Sequence, residues 1–133
     1  MKGLAVMHDA FDSGGGFSDE VLGFVITCLF CGAINCEEFQ SWSAQVLATD
    51  QAPAFMNELM TFDEPLFKVF AVIGHVPHWP HVEAEEHALY GIAVCRGIEP
   101  FDMPVSPQEA RQALVAEPGI EAVFRQVFDF IAW

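Results

Sequence analysis

VLGFVITCLFCGAINC, residues 21–36, is the longest uncharged stretch of the chain, and its placement in a membrane or in a protein core decides the fold. Its apolar character ends at Ile34. That falls short of the roughly 20 apolar residues a spanning helix needs, so the stretch reads as a buried core helix. Ser18 ahead of it suits an N-cap, and Asp19 and Glu20 suit the positive end of a helix dipole. Gly32 and Asn35 are stop signals. The first helix is therefore predicted from Ser18 to about Ala33.

Downstream the same grammar repeats. Asn35 caps a second helix, with Glu38 at capping-box spacing and Phe39, Trp42 and Val46 at helical intervals. PAFMNELMTF predicts a third helix, with Phe55, Leu59 and Phe62 on one side. DEPLFKVFAVIG predicts a fourth, opened by Asp63 as cap and Pro65 in the first turn and closed by Gly74. A fifth, opened by Pro80, carries Val82, Leu89, Ile92 and Val94 and stops at Gly97. In the sixth, Ser106 is the cap, Pro107 the first helical residue and Glu109 the partner in a capping box. IEAVFRQVFDFIAW predicts the last helix, with Val123, Val127 and Ile131 at four-residue spacing. No stretch alternates in the manner of a strand bounded by hairpin turns. The expectation is an all-α chain: residues 1–17, with three consecutive glycines, as a flexible N-terminal arm, and residues 18–133 as a single irregular bundle of six or seven short helices.

Composition narrows the function. The chain has 133 residues, 53% of them hydrophobic and 13 of them Phe, too apolar for disorder. Five Lys and Arg face nineteen Asp and Glu, a net charge of −14. Such a chain repels phosphate backbones and anionic membrane surfaces, so neither nucleic acid nor membrane is expected as a direct partner. It attracts basic proteins, and the same charge also keeps a greasy surface in solution. The start of the chain breaks its apolar run at His8 and Asp9, which does not suit a signal peptide. A cytoplasmic protein with reduced cysteines is expected, and its apolar excess also fits burial in a homo-oligomer.

Two clusters invite chemistry. Cys28 and Cys31 share a helix face near its C-terminal end, where the dipole does not lower a thiol pKa. With Cys36 and Cys95 they form no double pair of the structural-zinc kind, so small core residues are the expectation. GHVPHWPHVEAEEH holds His75, His78, His81 and His87. Those imidazoles, with Glu83, outline an alternative reading as a metal-binding protein or metal-dependent hydrolase. The motifs that would carry this are missing, however: there is no H-E-x-x-H, and Ala84 stands where a di-iron E-x-x-H would need Glu. No catalytic residue and no cofactor is expected. Asp19/Glu20, Glu37/Glu38 and Asp63/Glu64 lie in predicted first turns, where the dipole explains them. Brought to one end of the bundle, such turns add into a negative surface. Asp63, Glu64, Glu83, Glu85, Glu86, Glu99 and Asp102 are the expected charges of a partner-binding face, with Trp79 as aromatic anchor.

Residues 30–62 carry a further pattern: Gly32 and Ile34 in a turn, Glu38 and Trp42 on an acidic helix, Pro53, then Glu58 and Leu59 on a short helix. It resembles small bacterial helical proteins of toxin–immunity systems, those of the contact-dependent growth inhibition type. The resemblance implies a small cytoplasmic protein that is not an enzyme and that neutralises a basic toxin domain, often a nuclease. It transfers no individual binding residue, because such interfaces differ between cognate pairs.

Overall fold

The structure, a computed structural model, describes residues 18–49, 52–98 and 103–133. It is all-α: seven helices and no strand among the described residues. The predicted flexible arm lies outside them, as do Glu99 and Asp102.

Helix α1, Asp19–Cys31, is the centre of the bundle. Leu22, Phe24, Val25 and Cys28 are wholly buried and Val21, Ile26, Leu29 and Cys31 nearly so. Apolar residues cover every side, as a core helix requires. Each large aliphatic or aromatic side chain removed from water in this way contributes about 1.5–3 kcal/mol. Its ends follow the capping rules. The Ser18 hydroxyl accepts from the Val21 amide at 3.1 Å. Gly32, at φ 79°, takes the left-handed turn that closes the helix, with Ala33 N–H bonded to the Cys28 carbonyl at 2.9 Å. No helix among the described residues is long and apolar enough to cross a membrane.

Helix α2, Cys36–Leu47, opens with the predicted capping box, in which Asn35 Oδ1 accepts from Glu38 N at 2.8 Å and Glu38 Oε1 from Asn35 N at 2.9 Å. It buries Phe39 and Trp42. Helix α3, Met56–Leu59, is a single turn rather than the longer helix expected. The Asn57 side chain bonds the Ala54 carbonyl at 3.2 Å, and such local bonds compete with helix propagation. One turn already buries the two residues that matter, Met56 and Leu59. The fourth helix is also shorter than expected. Asp63 does not cap it; a 3-10 turn, Leu66–Lys68, leads into α4, Val69–Ile73, because Pro65 at ψ 139° holds the chain extended there. Gly74, at φ 92°, ends it as expected.

Helix α5, Glu83–Cys95, starts three residues after Pro80. Val82, at φ −104° and ψ 165°, is still extended and marks the helix start. Helix α6, Pro107–Ala116, has the predicted Ser106–Glu109 capping box and Pro107 at its start. Gly91 of α5 is pressed against α6: a Cβ on it would stand 2.3 Å from the Ala110 carbonyl oxygen and 2.9 Å from Leu114 Cβ. Helix α7, Pro118–Val127, opens at a proline and stops before Phe128. The expected continuation to Trp133 is replaced by a return of the chain. Trp133 packs edge-on to Phe124 with centroids 5.7 Å apart, and Arg125 lies 4.3 Å over the Trp133 ring while its Nη1 donates to the Trp133 carbonyl. A straight helix would leave that indole in solvent.

Candidate functional site

The histidine-rich corner is a strap across the start of α1. Asp19, in the first turn of that helix, receives it with both oxygens. Oδ1 lies 2.6 Å from His75 Nε2, and Oδ2 accepts from the His78 amide at 3.0 Å. Burial pushes the Asp19 carboxyl up, but the bonds to His75 and His78 and their charges outweigh it, and the group sits below its usual range. Beyond this tie the chain crosses Gly23, where a Cβ would lie 2.9 Å from Trp79 N and 3.1 Å from the His78 carbonyl carbon. Only a residue without a side chain admits the strap at that point. Trp79 then turns inward and meets Phe24 edge to face at 5.0 Å. His81 stacks on the indole at 4.1 Å, its Nδ1 2.6 Å from the Trp79 carbonyl oxygen and its Nε2 2.9 Å from Glu86 Oε2.

This geometry revises two of the expected binding residues. Trp79 is 4% exposed and is a core residue, since an indole held between Phe24 and His81 has no face to offer a partner. Glu85 is 2% exposed and its Oε1 accepts from the Val82 amide at 2.9 Å, so its carboxylate serves the helix start instead of an interface. Glu83 is exposed and Glu86, half-buried, is engaged by His81. The imidazoles are not gathered into one donor set. His75 and His81 belong to separate carboxylates, and no group of three or more His, Cys, Asp or Glu side chains placed to hold a metal occurs among the described residues.

The cysteines do not converge either. Cys28 and Cys31 are buried in α1. Burial, reinforced by Cys31, pushes the Cys28 thiol well up; burial and the nearby Glu86 push Cys31 up to about 12, against a smaller opposing effect of Tyr90. Both are neutral thiols packed as apolar groups. Cys36 Sγ donates to the Phe62 carbonyl at 3.1 Å, and burial, Asp63 and Glu37 raise its thiol. Cys95 is exposed on its own.

The acidic first turn of α2 and the acidic turn before α4 both lie on the surface. Asp63, Glu64 and Glu37 are all exposed. Phe67 follows within one turn of Glu64 and is 69% exposed, a large ring left in water. Lys68 pairs with Glu64 at 3.6 Å, while Glu37 and Asp63 form no ion pair among the described residues. Phe67, unlike Trp79, is an exposed aromatic with acidic residues close by in the chain.

Behind Glu37 lies a cleft of about 280 Å³, bordered by Glu38, Ser41, Arg96 and the C-terminal residues Phe130, Ile131 and Ala132. Its floor is an ion pair that the sequence did not suggest. Arg96, the C-cap of α5, grips Glu38 with both Nη atoms, Nη1 at 2.9 Å from Oε1, and Nη1 also donates to the Ala33 carbonyl. The two side chains are 13% and 18% exposed. Burial raises the Glu38 carboxyl, and the bonds from Arg96 and Asn35 and the Arg96 charge outweigh it, leaving the group below its usual range. Comparisons with protein-family models, with curated proteins and with solved structures return no match.

Proposed function

We propose that this chain is a non-enzymatic immunity protein whose acidic surface covers the basic, nucleic-acid-binding or catalytic face of a toxin domain, a nuclease in the leading case. The observation that carries the reading is Phe67, a large ring 69% exposed that follows the exposed Asp63 and Glu64 by four and three residues in the chain. Large aromatics ringed by charge are what protein interfaces use as anchors, and the ring's burial by a partner would supply affinity that charge alone does not. The charges select a cationic partner and speed its arrival. Among the described cations, Lys68, Arg96 and Arg125 already pair with carboxylates, so the chain's surplus charge is negative. A cytoplasmic place and the absence of catalysis follow from this reading.

The test is a titration of the purified chain with the basic C-terminal domain of a secreted protein encoded beside its gene, followed by calorimetry and by relief of toxicity on co-expression. A one-to-one complex is expected, with an association rate that falls as salt rises. Phe67→Ala should weaken it by about 2 kcal/mol, roughly 30-fold, and Asp63→Lys should slow association. A domain that binds the Phe67→Ala and Asp63→Lys variants as tightly as the parent, or that does not bind the parent, overturns the reading.

A further inference from the structure

We infer that the cleft between α2 and the C-terminal segment receives one arginine side chain of the basic partner. This inference rests on the immunity reading and adds to it a defined contact. Three walls argue for it. The first is charge. Arg96 and Glu38 cancel one another through a two-pronged bond, and Arg96 spends a further proton on the Ala33 carbonyl. What remains is the single negative charge of Glu37, which is exposed and forms no side-chain ion pair or hydrogen bond among the described residues. The second is a hydrogen-bonding wall. Ser41 lies four residues along α2 from Glu37, on the same face, and a serine hydroxyl can accept from a guanidinium. The third is a ring. Phe130 is 37% exposed at the edge of the cleft, and a guanidinium gains from lying over an aromatic face. The chain applies the same chemistry to itself close by, where Arg125 lies 4.3 Å over the Trp133 ring.

Size and shape select among cations. A cleft of about 280 Å³ is below the usual range for drug-sized ligands, about 300–1,000 Å³, and suits one long side chain. A planar guanidinium can meet a carboxylate, a hydroxyl and a ring together, whereas an ammonium acts as a point charge.

N-acetyl-arginine methylamide, its neutral citrulline analogue and N-acetyl-lysine methylamide serve as probes, titrated into the ¹⁵N-labelled chain. The arginine compound should shift the amides of Glu37, Ser41 and residues 130–132 with millimolar affinity. Lysine should bind several-fold more weakly, and citrulline at least 10-fold more weakly. Glu37→Gln and Phe130→Leu, each checked for helix content, should reduce the arginine affinity at least fivefold. Shifts that fall elsewhere, equal binding of citrulline, or indifference to Glu37→Gln would overturn the inference. With the toxin domain as ligand, a complex unaffected by Glu37→Gln and Phe130→Leu removes the arginine contact and leaves the immunity reading standing. Failure of the parent chain to bind removes that reading while the arginine titration still decides the cleft.

Discussion

Trp79 and Gly23 are 56 positions apart and make one joint. The backbone of the strap at His78 and Trp79 occupies the space the glycine leaves, and this close approach lets the indole reach Phe24. Trp79→Ala is expected to cost about 3–5 kcal/mol in urea unfolding, the range for emptying a buried aromatic site, and Trp79→Phe much less, because a ring edge against Phe24 is retained. Thiol reactivity gives a second residue-level prediction. With a thiol-specific chromogenic disulfide, exposed Cys95 should react at once and half-buried Cys36 slowly, whereas Cys28 and Cys31 should wait for unfolding. Rapid reaction of all four would contradict the packing of α1. At this scale the sequence was a partial guide. The inert cysteines were legible because Ile26, Leu29 and Phe30 surround them. Trp79 was misread as exposed because nothing near it in sequence announces Gly23. Glu85 could have been placed correctly, since it precedes Leu89 by four and Ile92 by seven, on the helix face that is buried.

The helix starts and stops were the most legible elements, because each is a local bond between neighbours. Ser18, Asn35 with Glu38, Ser106 with Glu109, and the left-handed glycines Gly32, Gly74 and Gly97 stand where their chemistry indicates. Lengths were less legible. The third and last helices are shorter than their apolar pattern, because one turn suffices to bury Met56 and Leu59 and because Trp133 turns back onto Phe124. The tie between α2 and α5 was invisible, since Glu38 and Arg96 each had a local role to explain them. Arg96→Met should remove about 2–3 kcal/mol at neutral pH by stranding the Glu38 carboxylate and the Ala33 carbonyl. The Glu38 carboxyl titrates lower folded than unfolded. Its contribution is therefore whole above the unfolded value, about 4.3, and fades as pH falls through the folded one. Glu38→Gln should flatten that acid limb in denaturation profiles measured from pH 7 to 3; an unchanged limb would contradict the tie.

For the whole molecule, the decisive quantity is a net charge of −14 on 133 residues. Like charges repel most in the compact state, so added salt should stabilise the free chain. A gain of about 1 kcal/mol between 10 and 300 mM NaCl (about 4 °C in melting temperature for a domain of this size) is a reasonable expectation for calorimetry. The same salt should weaken a complex with a cationic partner, and this opposition of signs separates self-repulsion from recognition. The fold class was open to reading from periodicity alone. Which carboxylates share a surface was not, because that depends on helix packing, which neighbours in the chain do not announce.

The missing side chain at Gly91 has a kinetic consequence. It lets α5 and α6 meet backbone to backbone at Ala110 and against Leu114, and the loop between these consecutive helices is residues 96–106. Closing so short a loop loses little entropy, so this pair is the natural nucleus of folding. A Gly91→Ala chain should refold markedly more slowly in stopped-flow mixing while its unfolding limb barely moves, the signature of a contact already made at the summit of the barrier.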